Sequence, residues 1–84
     1  SGNALKEISN PENQMLSEEL KRVVFSTIEA LPDDLKTAIT LRELEGLSYE
    51  EIAEVMGCPV GTVRSRIFRA REAVEKRIRP LMQR

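Results

Sequence analysis

The 84-residue chain is predicted to be an all-α domain, compact and built from four helices. Aromatic residues make up only 4% of it, and no run alternates β-branched residues with polar ones, so strands are not expected. Proline and glycine instead separate segments whose apolar residues recur every three or four positions, as in helices with one buried face. A chain of this length has room for one hydrophobic core, so a single domain is expected.

The first two helices are delimited by prolines and a glycine. Asn10-Pro11 predicts the start of the first helix, with Ser17 as the alternative, and Pro32 predicts its end because the residue before a proline avoids the helical conformation. Asp33-Asp34 predicts the start of the second helix, since carboxylates suit a helix N-terminus, and Gly46 predicts its end. The apolar residues of this second helix surround much of its cylinder, so we expect it to be the central, most buried helix.

The last two helices predict a helix-turn-helix without a β-wing. Ser48 and Glu51 have the spacing of a capping box, which marks the start of the third helix, and Gly57 can take the left-handed conformation that ends it. Pro59 suits the first turn of the fourth helix. A short helix, a glycine turn and a long basic helix form the layout in which the second helix enters the DNA major groove.

Charge is distributed unevenly along the chain. The formal net charge is −1, yet residues 1–57 hold five basic and twelve acidic groups, a net of −7, whereas residues 58–84 hold eight basic and two acidic groups, a net of +6. The sign therefore changes at the predicted turn of the helix-turn-helix. A basic segment of this kind favours a nucleic-acid partner, although a solvated helix or a helical protein-interaction module remains an alternative.

Several functional classes are excluded by residue type. Histidine is absent and Cys58 is the only cysteine, so we expect no catalytic residue, metal ligand or cofactor, and no enzymatic activity. No glycine-rich phosphate loop or small-molecule site is evident. There is no apolar run of membrane-spanning length and no signal peptide, so direct membrane insertion is not expected and the chain is predicted to be cytoplasmic.

The helical angles of the fourth helix separate a buried face from an outward one. Val63, Ile67, Ala70 and Val74 share the apolar face, at 100° per residue. The opposite face carries Ser65, Phe68, Arg69 and Glu72, with Arg64, Arg66 and Arg71 at its flanks. A phenylalanine exposed among arginines suits the major groove, where the ring can contact a thymine methyl and the guanidinium groups can pair with guanine or phosphate. The first-turn amides of Val60, Gly61 and Thr62 are expected to favour a phosphate.

Three segments resemble region 4 of bacterial RNA polymerase sigma factors. They are Leu-Pro-Asp-Asp-Leu at residues 31–35, Leu-Arg-Glu-Leu-Glu-Gly-Leu-Ser-Tyr-Glu-Glu-Ile-Ala at residues 41–53, and Cys-Pro-Val-Gly-Thr-Val-Arg-Ser-Arg-Ile-Phe-Arg-Ala-Arg at residues 58–71. The resemblance is to the extracytoplasmic-function group, most closely the sigma-E envelope-stress type, and covers residues 10–84 as one domain. Residues 1–9, which begin Ser-Gly-Asn-Ala, are interpreted as a tag scar and a linker remnant.

The resemblance implies sequence-specific promoter recognition within the RNA polymerase holoenzyme, leading to transcription of stress-response genes. The fourth helix would bind the −35 element, of GGAAC-like sequence, in the major groove. The implied base-reading residues are Arg64, Ser65, Phe68 and Arg69, and the implied phosphate contacts are Arg42, Tyr49, Thr62, Arg66 and Arg71.

The same resemblance implies two protein partners. The β-flap of core RNA polymerase would bind an apolar surface of the early helices, and an anti-sigma factor would compete for the same surfaces. Region 2, which melts promoters in this family, is not present in the sequence, so this chain is expected to recognise promoter DNA without opening it.

Some alternatives stay open on the residues alone. Arg42 is nearly as well explained by a salt bridge with Glu43, Glu45 or a neighbouring helix, and Tyr49 by half-buried packing on the third helix. The output domain of a response regulator is a second DNA-binding interpretation, although the Arg-Ser-Arg-Ile-Phe-Arg segment fits it poorly.

Overall fold

The structure is a computed structural model that describes residues 14–83. Four helices are present in this range, and we number them α1 (Gln14–Glu29), α2 (Asp33–Glu43), α3 (Tyr49–Met56) and α4 (Val60–Met82). Residues 14–83 contain no strand, so the all-α prediction is confirmed. The predicted start at Asn10-Pro11 and the interpretation of residues 1–9 lie outside the described residues. The alternative start at Ser17 is wrong, because Ser17 lies inside α1.

The boundaries of α2 and α4 differ slightly from prediction. Helix α2 ends at Glu43, before the predicted Gly46, which instead takes a left-handed φ of 73° in the turn that follows. Pro59 has φ −65° and ψ 153°, so it caps α4 from outside and the first helical residue is Val60. Its extended ψ directs the chain from the turn into the helix.

The predicted capping box of α3 is present. The Glu51 backbone N–H donates to Ser48 Oγ at 3.1 Å, and the Ser48 backbone N–H donates to Glu51 Oε1 at 2.8 Å. The hydrogen bond from the Ser48 backbone, aided by that from its side chain, lowers the pKa of Glu51. Gly57 ends α3 in the left-handed conformation, with φ 65°. The helix-turn-helix geometry thus follows from local chemistry at both ends of α3.

The core joins three helices through four buried side chains: Ala38 from α2, Ile52 from α3, and Val63 and Ile67 from α4. Helix α4 packs against each of the other helices, so it is the central element. The prediction that the second helix is central is wrong. Leu44 is 61% exposed because it lies beyond the last turn of α2.

The length of α4 explains its central position. At 23 residues it is the longest of the described helices, and its apolar stripe offers enough surface for three partners. Packing on one side of α4 leaves the other side open along the helix. None of the described helices is long and apolar enough to cross a membrane.

Candidate nucleic-acid interface

The outward face of α4, which we define as Arg64, Ser65, Phe68, Arg69 and Glu72, forms an exposed shallow depression. It lies opposite the buried face of the same helix. Phe68 is 66% exposed although it is one of the largest apolar side chains in the molecule. All four of the predicted base-reading residues lie on this surface, together with the carboxylate of Glu72.

Arg64 and Arg69 have no carboxylate within salt-bridge distance in residues 14–83. Even Glu72, three residues beyond Arg69, is not ion-paired with it in this range. Their guanidinium groups can therefore pair with an external acceptor without first leaving an acidic neighbour. Bidentate contact with guanine or phosphate requires donors of this kind.

A second depression lies at the N-terminus of α4 and shares Ser65 and Arg69 with the outward face. It also includes Gly61 and Thr62, so it holds the predicted phosphate position. The Thr62 amide, however, already donates to the Pro59 carbonyl at 3.0 Å. Of the three first-turn amides expected to face a phosphate, those of Val60 and Gly61 have no backbone acceptor within residues 14–83.

Arg66 lies beside the same depression but has internal partners. Its Nε is 3.6 Å from Asp34 Oδ2, and its Nη1 donates to Cys58 Sγ at 3.6 Å. Only 26% of the Arg66 side chain is exposed. Asp34 therefore brings a negative charge to the position where a phosphate was predicted, and it partly neutralises Arg66.

Arg71 is also paired with an acidic residue of α2. Its Nε and Nη2 both donate to Glu43 Oε1, the Nε at 3.1 Å. Both side chains remain partly exposed, so solvent screens the pair and its net contribution to stability is small. A phosphate that bound Arg71 would compete with Glu43.

The remaining predicted phosphate residues, Arg42 and Tyr49, contact each other. Arg42 Nη1 donates to the Leu47 carbonyl at 2.9 Å, and its guanidinium carbon lies 4.8 Å from the centre of the Tyr49 ring. The alternative of a salt bridge from Arg42 to Glu43, Glu45 or a neighbouring helix is wrong, because Arg42 takes part in none of the ion pairs of the described residues. The Tyr49 ring is half-buried and packs against the core, as its alternative interpretation expected.

Asp34, Glu43 and the Leu47 carbonyl are site components that no sequence pattern identifies. No local signal identified the two carboxylates, because each pair forms only when α2 packs against α4. Asp34 was assigned to a helix start, which it also occupies. In residues 14–83, no group of His, Cys, Asp or Glu is placed to hold a metal ion.

The fold and this surface define a helix-turn-helix domain with a basic, aromatic-containing second helix. Residues 21–74 match the family described as sigma-70, region 4, so the chain belongs to that family.

Curated relatives agree with the assignment. The chain is 74% identical over all 84 residues to the ECF RNA polymerase sigma-E factors of Escherichia coli (strain K12) and Salmonella typhimurium (strain LT2), and covers 44% of each. It is 72% identical over 81 residues to the ECF RNA polymerase sigma-E factor of Haemophilus influenzae. These residues make up 96% of this chain and 43% of that protein. The chain thus spans less than half the length of these relatives. The resemblance identified from the sequence motifs is confirmed.

Proposed function

We propose that this chain is the domain of a sigma-E-like factor that recognises the −35 promoter element. It acts in the cytoplasm as part of the RNA polymerase holoenzyme and helps to initiate transcription of stress-response genes. The domain itself catalyses no reaction in this function. The observation that carries the proposal is the outward face of α4, where exposed Phe68 lies with two arginines that have no acidic partner in residues 14–83. Membership of the region 4 family favours this function over a response-regulator output domain or a protein-interaction module.

Base recognition is assigned to Arg64, Ser65, Phe68 and Arg69. An arginine can donate two hydrogen bonds to guanine O6 and N7, a serine hydroxyl can donate or accept, and an exposed ring can contact a thymine methyl. Glu72 lies on the same face and would repel phosphate, which limits how deeply the later turns of α4 enter the groove.

Phosphate contacts are assigned to Arg42, Tyr49, Thr62, Arg66 and Arg71. Such contacts hold the helix in register and carry little sequence information. For Arg66 and Arg71, binding replaces an internal carboxylate by a phosphate, so each contact adds less affinity than an unpaired arginine would. Thr62 and the free amides of the first turn of α4 suit one phosphate at a helix N-terminus.

The proposed protein partners are the β-flap of core RNA polymerase and an anti-sigma factor. Two large apolar side chains in the early part of the fold support a docking surface there, since Phe25 of α1 is 54% exposed and Leu44, after α2, is 61% exposed. Their acidic surroundings in residues 1–57 would keep this surface away from DNA.

Duplex binding by the 84-residue chain tests the proposal. Fluorescence anisotropy at low salt would compare a duplex carrying a GGAAC-like element with a scrambled duplex of the same composition. We expect tighter binding to the first duplex, and a preference that survives as salt is raised, because base contacts release fewer counterions than phosphate contacts. Equal affinities for the two duplexes would contradict the proposal.

Arg77→Ala is the matched control for the arginine variants of this assay. Arg77 is an exposed arginine on the same helix, beyond the outward face, and the substitution removes the same charge. It should leave the preference for the GGAAC-like duplex unchanged.

A further inference from the structure

Tyr49 contacts two arginines that come from different helices. The guanidinium carbon of Arg42, in the last turn of α2, lies 4.8 Å from the ring centre, and that of Arg64, near the start of α4, lies 5.7 Å from it. Both distances are within the range of a cation–π interaction. The ring therefore connects the base-reading helix with the rest of the helix-turn-helix.

The Tyr49 ring is held in place by its surroundings. It belongs to the first residue of α3, directly after Ser48, whose capping box fixes the start of that helix. The ring packs against the core, and Arg42 is itself anchored by its hydrogen bond to the Leu47 carbonyl. Backbone and side-chain contacts thus restrict the ring before any DNA arrives.

An aromatic contact affects Arg64 differently from a carboxylate. A carboxylate partner such as Glu43 occupies two of the N–H donors of Arg71 and offsets part of its charge. A ring attracts the guanidinium through its face and leaves the N–H groups at the edge of the cation able to donate to a base. The ring also restricts the long Arg64 side chain before DNA binds. Less rotamer freedom is therefore lost when Arg64 binds a base.

We propose that the Tyr49 ring positions Arg64 for base recognition, which makes Tyr49 a specificity-determining positioning residue through its ring, in addition to any phosphate contact of its hydroxyl. This inference rests on the proposed function. It assigns the ring and the hydroxyl of one side chain to separable roles.

Two substitutions separate these roles. Tyr49→Phe keeps the ring and removes the hydroxyl, whereas Tyr49→Leu removes the ring and keeps an apolar side chain. Binding would be measured with duplexes that carry single base-pair changes across the GGAAC-like element. We expect Tyr49→Phe to keep the wild-type discrimination at every position, and Tyr49→Leu to lose about two- to fivefold at the base pair that Arg64 reads, the size of an exposed cation–π contact.

A double-mutant cycle tests whether the effect passes through Arg64. Once Arg64 is replaced by Ala, Tyr49→Leu should cause no further loss of discrimination at that base pair, whereas in an Arg69→Ala background its effect should persist in full. Circular dichroism of each variant at the binding temperature checks that the helices are retained. Additive effects of Tyr49→Leu and Arg64→Ala would overturn the proposal.

NMR of the free wild-type chain supplies a readout that does not depend on the variants folding. A ring close to Arg64 should shift the resonances of its side-chain protons upfield relative to those of Arg69. Indistinguishable shifts for the two arginines would overturn the proposal, even if DNA binding is specific.

The outcomes also separate this proposal from the proposed function. A uniform loss of affinity in Tyr49→Phe, with no additional loss in Tyr49→Leu, would show that only the hydroxyl matters and would overturn the positioning role while leaving promoter recognition intact. A wild-type chain that does not discriminate between duplexes would overturn both.

Discussion

The outward face of α4 and the two flanks of the same helix both carry arginines, in different electrostatic settings. On the outward face, Arg64 and Arg69 have no carboxylate partner within residues 14–83. On the flanks, Arg66 is paired with Asp34 and Arg71 with Glu43, at the two ends of α2. The comparison teaches that the number of arginines overstates the positive charge available to DNA, and that the neighbours of each arginine determine which role it can take.

The ion pairs also connect the acidic residues 1–57 with the basic residues 58–84. The acidic segment, residues 1–57, includes Asp34 and Glu43, which neutralise part of the basic segment that follows. The two segments are therefore joined by ion pairs across the α2–α4 contact. On the outward face, Arg64 and Arg69 take part in none of these ion pairs.

The largest effect is expected from Arg69→Ala. Removing a base-reading arginine should weaken binding to the GGAAC-like duplex by about 1–3 kcal/mol and relax base preference at one position. Anisotropy titrations with single-base variants of the duplex measure this change. A similar loss in the control Arg77→Ala would show that charge alone is responsible.

A smaller and sequence-independent loss is expected from Arg71→Ala. Because Arg71 is assigned to a phosphate, its removal should weaken binding to all duplexes alike and lower the slope of log K against log salt by about one. Titrations at several salt concentrations provide the slope. Loss of base discrimination in this variant would move Arg71 from the flank to the base-reading set.

An opposite and still smaller effect is expected from Glu43→Gln. Freeing Arg71 from its carboxylate should tighten binding to specific and scrambled duplexes alike, by no more than about 1 kcal/mol, since exposed ion pairs are weak. In an Arg71→Ala background the substitution should have less effect. Unchanged affinity in Glu43→Gln would indicate that the pair does not compete with phosphate.

Lowering the pH should destabilise the N-terminus of α3. This prediction is independent of the comparison between the arginines. The folded-state pKa of Glu51 is lowered by the Ser48 hydrogen bonds, so its carboxylate stabilises the fold above the ordinary pKa of 4.5 and this contribution is lost as pH falls through the lowered value. Thermal unfolding of the wild type and Glu51→Gln across this range measures the effect. The difference in thermal stability between the two proteins should change with pH as Glu51 of the wild type becomes protonated. A difference that stays constant across this range would contradict the assignment.

Local chemistry made much of this structure predictable. The Ser48–Glu51 capping box, Gly57 and the apolar stripe of α4 are sequence-local signals, and together they determine the helix-turn-helix and place Phe68 and Arg69 on the outward side. The central position of α4 was not predictable in this way, since it depends on how three helices share one long stripe.

The ion pairs were not predictable for the same reason. Asp34 and Glu43 meet Arg66 and Arg71 only through tertiary packing, and each also has a plain local explanation as a helix-terminal or solvated charge. The contact of Arg42 with the Leu47 carbonyl likewise depends on the path of the turn after α2. Sequence patterns identified which residues face outward but not which of the arginines are already paired.

The most direct test of the central claim is the ratio of Kd values for the scrambled and GGAAC-like duplexes, measured at one salt concentration for Arg69→Ala and Arg71→Ala. The difference between the outward face and the flanks predicts that this ratio falls in Arg69→Ala and stays at the wild-type value in Arg71→Ala. Equal ratios in the two variants would contradict it, because unpaired and paired arginines would then contribute alike to recognition.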